Sequence, residues 1–171
     1  MRAADKWLLP WLRRRPETPD PELPTDIMLC VCDHFEPFHR SDRDGALRRM
    51  DEWQDKFTRL TTQFRDVDGV PPKQTFFYPI EQYDEQILER LAGLCRDTGS
   101  EVEVQLHHGD DTAEDVAAAL KEGVERYKSH GLLSRGLNGE ARFGFVHGNW
   151  ALDNSDPRGI NCGVDRELEV L

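Results

Sequence analysis

Between Ile27 and His147 the chain alternates short β-prone runs with longer segments of helical period, and this alternation limits the fold more than any other feature. Ile27 to Cys32 is a continuous apolar run, which predicts a first strand covered on both faces of a parallel sheet. From Asp44 to Phe64, Leu47, Met50, Trp53, Phe57, Leu60 and Phe64 recur at every third or fourth position, the period of one helix face, with Asp42 or Asp44 as its cap. Thr75 to Tyr78 is a second strand, closed by Pro79. Asp84 to Thr98 gathers Ile87, Leu88, Leu91, Leu94 and Cys95 on one face and stops at Gly99. Glu101 to Leu106 alternates polar and apolar residues as a strand does, and Thr112 to Asp115 reads as a capping box opening a helix to about Ser129. After a glycine-rich loop, Phe143 to His147 is a fourth strand, and Asp165 to Leu171 has the look of the first turns of another helix. Strands alternating with helices require parallel pairing and right-handed crossovers, so the class is α/β, either an open doubly wound sheet or part of a (β/α) barrel.

Both architectures place chemistry at the carboxyl ends of the strands. The reactive side chains fall there. The first strand ends in Asp33, His34 and Glu36, the second in Tyr78 and Glu81, the third in His107, His108, Asp110 and Asp111, and the fourth in His147, Asn149 and Trp150. Four of the six histidines lie at strand ends, while His39 and His130 lie elsewhere and read as surface residues. Two imidazoles and one carboxylate, with a position left for water, are a common ligand set for catalytic zinc, and His34, His107 and Asp111 supply one. Asp33 is then placed to take a proton. His108 competes with His107 for the ligand position, because neighbours on an extended strand point to opposite sides. Without that context a His-His-Gly-Asp-Asp run is equally a solvated loop with helix-capping acids. Tyr78 and Trp150 are candidates to stack on a sugar ring, with core packing as the competing reading, and Glu81, His108 and Asn149 are candidates for substrate contact.

Charge and cysteine usage exclude several classes. The net charge is −11, which leaves no basic face for nucleic acid. No apolar run reaches the roughly 18 residues of a membrane span. Met1 to Arg15 is the exception in sign, with net +4 beside Trp7, Leu8, Leu9, Trp11 and Leu12. It offers weak contact with an anionic membrane surface, although Pro10 is expected to break the helix that such contact uses. Its short apolar stretch, followed rather than preceded by positive charge, is unlike a signal peptide, so the expected compartment is the cytoplasm. Cys30, Cys32, Cys95 and Cys162 make no CxxC pair and are expected to be buried thiols. Four prolines between Arg15 and Pro24 favour an extended segment, so residues 1–24 form a basic, then proline-rich tail and the folded part spans residues 25–171.

Three elements carry a resemblance: Val-Cys-Asp33-His34, the spacing from His107 to Asp111, and the run Phe-Val-His-Gly-Asn-Trp-Ala-Leu-Asp-Asn-Ser from Phe145 to Ser155. Together they resemble the polysaccharide deacetylase family, also called the NodB-homology or carbohydrate esterase family 4 group, and more narrowly a bacterial branch associated with surface-polysaccharide biosynthesis. The resemblance implies a distorted (β/α) barrel and the metal-dependent removal of acetyl groups from sugars. It places Asp33 at the position of the base, and His34, His107 and Asp111 at those of the metal ligands. The chain departs from the family pattern, because His34 stands where the family has an aspartate and Asp111 where it has a histidine. The ligand types are therefore permuted and the total charge kept. No late-strand histidine follows to serve as the acid, which leaves His147 as the candidate in this chain.

The expectation is thus the amino-terminal half of a deacetylase-like (β/α) barrel, a fold that typically needs about 250 residues. Its expected function is a divalent-metal hydrolase, zinc being the expected ion, acting on an acetylated sugar of a surface polysaccharide or its precursor. The competing expectation is a degenerate barrel that binds saccharide or metal without turnover.

Overall fold

The computed structural model describes residues 4–15, 23, 27–149, 151–158, 160 and 163–171. In chain order its elements are α1 (Ala4–Arg13), β1 (Cys32–His34), α2 (Arg43–Gln63), β2 (Thr75–Pro79), α3 (Glu85–Thr98), β3 (Glu101–Leu106), α4 (Ala113–Ser129), β4 (Ser134–Arg135), β5 (Ala141–Arg142), β6 (Phe145–His147) and α5 (Glu167–Val170). Strands β1, β2, β3 and β6 form one parallel sheet in the order of the chain, and β4 pairs with β5 in a separate antiparallel hairpin. A sheet that adds each new strand on the same side winds as a (β/α) barrel does, whereas a doubly wound sheet reverses its order at a switch point. The sheet curls into a half-barrel alternating with helices, which is compatible with part of a (β/α) barrel.

Strand alternation divides the sheet into two faces. Phe76 and Tyr78 of β2 and Val102, Val104 and Leu106 of β3 point toward the helices, where they are buried with Met50 and Phe57 of α2, Leu88 and Leu91 of α3, and Val116 and Leu120 of α4. Thr75, Phe77, Glu101 and Glu103 alternate with them and face the inner side of the curl. The rings of Phe35, Trp53, Phe57 and Phe76 meet edge-on or tilted, with centroids 5.3–6.1 Å apart, and lock β1 and α2 onto the sheet.

Helix ends follow local chemistry. The Asp42 carboxylate accepts from Gly45 N at the start of α2, Thr112 and Asp115 form the reciprocal capping box of α4, and Gly99 closes α3 at φ 69°, a left-handed conformation that suits glycine. Asp84 caps α3 through Ile87 N and also pairs with Arg43 of α2 at 2.7 Å. Burial alone would raise the Asp84 carboxyl pKa, but Arg43 and the backbone donors outweigh it and hold the group below its usual 3.8. A depressed carboxylate stabilises the fold above the unfolded-state pKa and loses that contribution as pH falls through the folded one. Asp84→Ala is therefore expected to cost about 1–2 kcal/mol near neutral pH. Urea midpoints of the two proteins should converge once the pH drops below the usual aspartate range.

Two expectations need correction. The first strand is neither as early nor as covered as its apolar run implies: only Cys32 to His34 pair with β2, and Ile27, Met28 and Leu29 are 91%, 95% and 88% exposed. The reason is position. Strand β1 lies at the edge of the sheet, so residues 27–31 have no strand beyond them among the described residues. For the same reason Cys30 and Cys32 are exposed rather than buried, their sulfurs 3.5 Å apart on one side of the chain, whereas Cys95 is buried and Cys162 lies outside the described residues. The second correction concerns Pro10, which sits inside α1 without breaking it. A proline costs the helix one hydrogen bond, and here the acceptor it frees is the Lys6 carbonyl, one position in a short exposed helix.

Candidate metal centre

Register decides which histidine goes where. His147 pairs with Leu106, a residue that faces the helices, so His147 is carried to that side, and His108 follows Leu106 two residues on. Helix α5 covers them with Glu167, which is fully buried. His108, His147 and Glu167 each present a potential ligand atom within 4.8 Å of the other two, the one such group among the described residues.

Glu167 is the hub. Its Oε1 accepts from His108 Nε2 at 2.8 Å and lies 3.2 Å from His147 Nε2, while its Oε2 accepts from Asp153 N at 2.9 Å. In return the Asp153 carboxylate accepts from Glu167 N at 2.7 Å, which fixes the start of α5. The two imidazoles stack obliquely with centroids 4.9 Å apart. Around a tetrahedral ion with nitrogen and oxygen ligands, neighbouring ligand atoms stand about 3.4 Å apart. The 3.2 Å between Glu167 Oε1 and His147 Nε2 is close to that, whereas the 2.8 Å to His108 Nε2 is the length of a hydrogen bond.

Three observations bear on whether a cation fits. His108 Nδ1 and His147 Nε2 are buried and make no hydrogen bond, an uncommon state for buried polar atoms. His108 Nδ1 lies 3.4 Å from Asp111 Oδ2, so a ring ligating through Nε2 would turn its other nitrogen toward a carboxylate, the usual support of a metal-bound histidine. Gly163 packs closely on the group: a Cβ there would stand 2.4 Å from Glu167 Oε2, 2.7 Å from His108 Cε1 and 2.8 Å from His147 Nε2, so only glycine allows this approach. Burial, the Glu167 charge and His108 act on His147 together. Burial is the largest effect and lowers its pKa below 6.5, which keeps the ring neutral as a ligand must be. One contact opposes ligation. Asn149 N donates to His147 Nδ1 at 3.0 Å, so the neutral ring carries its proton on Nε2, and a cation there must displace that proton or this contact.

The surrounding backbone is strained. Asp110, Asp153, Asn154 and Arg166 all adopt left-handed φ between 48° and 62°, and they flank Asp111, the Asp153 to Glu167 bonds and Glu167 itself. Such conformations persist where the surrounding structure over-determines them, and they concentrate at functional sites.

The predicted ligands are distributed differently. His107 points to the inner face, opposite His108. Its Nδ1 lies 2.7 Å from Glu81 Oε1, its Nε2 is 3.3 Å from Glu36 Oε1, and Gln105 donates to that same Glu36 oxygen at 2.6 Å. His34 reaches Glu36 Oε1 at 3.6 Å from the other side. His34 and His107 are thus joined through Glu36 on one face, Asp111 accompanies His108 on the other, and the three do not form a ligand group. Asp33 faces the helices in a cleft of 680 Å³ that Trp53 and Phe57 also line. Burial raises its carboxyl pKa, with His34 opposing and Glu36 adding to the shift. Strand β1 is two places from β3 in the sheet, a backbone separation of about 10 Å, and no hydrogen bond or ion pair links Asp33 to the buried group.

Of the predicted substrate contacts, Tyr78 is fully buried, its hydroxyl donating to Gln82 O at 2.7 Å, so the packing reading holds for it. His108 is likewise enclosed. Asn149 donates from its side chain to the His108 carbonyl and so ties the ends of β3 and β6 together. Glu81 holds His107, as described above, and Trp150 lies outside the described residues. Glu167 was not among the predicted site residues. In sequence it belongs to an Asp-Arg-Glu-Leu-Glu run that reads as a solvated helix face. The available signal was Gly163, four residues before it, which gives the approach its room.

No family model, curated protein or solved structure matches the chain.

Proposed function

We propose that the protein is a metal-dependent hydrolase of the polysaccharide deacetylase type, acting on an acetylated sugar, with His108, His147 and Glu167 holding the ion. The observation that carries this reading is the convergence of His108, His147 and Glu167, in which His147 Nε2 is buried without a hydrogen bond beside a buried carboxylate. The half-barrel adds support, since such folds work at the carboxyl ends of their strands and the group lies where β3 and β6 end. Two imidazoles and a carboxylate are also a ligand set of catalytic zinc sites. The chemistry a divalent ion supplies at such a set is polarisation of a carbonyl and acidification of water.

The chain's own side chains divide the remaining work differently from the family pattern. His147, counted among the ligands, is no longer the candidate for the acid's role. Asp111 orients His108. His107, partly exposed and held by Glu81, packs against Gly148 on the inner face and takes no part in holding the ion. Asp33, two strands away, takes no part in this arrangement.

A second reading has one observation in its favour. The Asn149 N–H directed at His147 Nδ1 is the tautomer of a metal-free ring. In that reading Glu167 pins α5 to the sheet, and the protein is a non-catalytic barrel. Release of acetate from N-acetylated and O-acetylated oligosaccharides distinguishes the two. The hydrolase reading expects release that stops on chelation, returns with zinc, and falls at least 100-fold in His108→Ala, on the order seen when catalytic groups are lost. Release indifferent to chelation, or no release by protein that carries the ion, overturns it.

A further inference from the structure

Helix α1 has an amphipathic face that is left largely exposed. Ala4, Trp7, Leu8, Trp11 and Leu12 recur at intervals of three, four, seven and eight, the stripe of a helix that buries one side. Yet α1 has no buried residue, and Leu8, Leu9, Trp11 and Leu12 are 40%, 52%, 62% and 63% exposed. A soluble helix of this pattern ordinarily lays its stripe on a core. On the wheel, Lys6 and Arg13 lie opposite that stripe, and Arg14 and Arg15 follow directly. Asp5 is the one acid of the helix. Pro10 falls on the polar side, so the carbonyl it leaves free faces water and not the apolar stripe.

We propose that α1 is a docking helix for anionic lipid, lying in the bilayer surface with Trp11, Leu8 and Leu12 among the acyl chains and Arg13, Arg14 and Arg15 at the headgroups. Charge selects this occupant. The first fifteen residues carry +4 in a chain whose total is −11, so an anionic surface attracts this segment and repels the remainder. The contact is therefore made end-on through α1. Tryptophan suits the boundary, since its ring is apolar and its N–H seeks a polar partner. Among the described residues no helix is long and apolar enough to cross a membrane, so the mode is surface attachment. The inference is independent of the metal centre.

The test is flotation of the full chain with vesicles of pure phosphatidylcholine and of phosphatidylcholine mixed with phosphatidylglycerol. Binding to the mixed vesicles alone is expected, weakened by salt. Neutralising Arg13, Arg14 and Arg15 to glutamine should lower the partition coefficient roughly a hundredfold. Trp11→Glu with Leu12→Glu should abolish binding while leaving the far-ultraviolet circular dichroism of the body intact, because neither residue is buried. Absence of binding to mixed vesicles overturns the proposal. So does binding that survives Trp11→Glu with Leu12→Glu, which would move the contact to the exposed Ile27 to Val31 segment. Concentration-dependent dimerisation lost in that variant, without vesicle binding, would instead assign the stripe to a second copy of the chain.

Discussion

Glu167→Ala is expected to lose the cation and to destabilise the fold by about 3–5 kcal/mol, the range for removing one member of a buried charged cluster. The size follows from what the carboxylate holds. His108 Nε2, His147 Nε2 and Asp153 N all face its two oxygens in a site without exposure, and alanine returns none of those contacts. Unsatisfied buried donors cost about 1–3 kcal/mol each, and here they sit on three separate segments. Helix α5 should detach first, because the Asp153 to Glu167 bonds fix its start. Glu167→Gln separates structure from ligation. An amide keeps the shape and one acceptor oxygen but not the charge, so this variant should unfold close to the parent midpoint and still bind no zinc. Urea denaturation and zinc titration of both variants measure the two effects. A Glu167→Gln protein that binds zinc as the parent does would remove Glu167 from the ligand set.

Gly163→Ala is expected to weaken zinc binding by at least 100-fold with a smaller loss of stability. The added methyl would stand 2.4 to 2.8 Å from atoms of all three proposed ligands, closer than any real contact allows. Either the methyl or the ligands must move, and the ligand atoms can turn outward only by leaving one another. Loss of a ligand's support alone typically costs 10- to 100-fold in affinity, and direct obstruction should exceed it. Isothermal titration with zinc reads the change. Unaltered affinity would mean that the ion, if bound, lies away from Gly163.

These expectations rest on residues that were only partly legible in the sequence. The helices from Arg43 to Ser129 and the strands β2 and β3 were legible because several signals agreed at each end: Asp42, Asp84 and Thr112 as caps, Gly99 as a stop, and strict alternation in Glu101 to Leu106. The placement of polar residues at strand ends was legible for the same reason. What could not be read was side. Whether His107 or His108 turns toward the helices depends on the register of β3 against β6, and register is a property of two strands that neither sequence contains alone. Strand β1 failed similarly. An apolar run states that residues avoid water, but the extent of pairing is set by β2, which reaches only Cys32 to His34. Glu167 was hidden because its burial comes from the fold bringing α5 back over β6. The hairpin of β4 and β5 was missed because two-residue strands in a glycine-rich loop carry no periodicity.

The same geometry explains why the ligand types looked permuted. The resemblance aligned His34, His107 and Asp111 with a metal set, while the structure sends His34 and His107 to Glu36 on the inner face and brings Asp111 to His108 on the other. Two polar groups therefore stand back to back across the ends of β3 and β6. One is enclosed and has unbonded nitrogens, and the other is partly open, its His107 held by Glu81 and its Gln105 Oε1 left without a partner. A cation belongs with the first, because there two imidazoles and a buried carboxylate converge and His147 Nε2 has no hydrogen bond.

The central claim is tested most directly by the zinc content of the purified full chain, measured by elemental analysis beside the His108→Ala, His147→Ala double variant. The account predicts close to one ion per chain in the parent and none in the variant. One ion retained by the variant, or none bound by the parent after incubation with zinc, would contradict it.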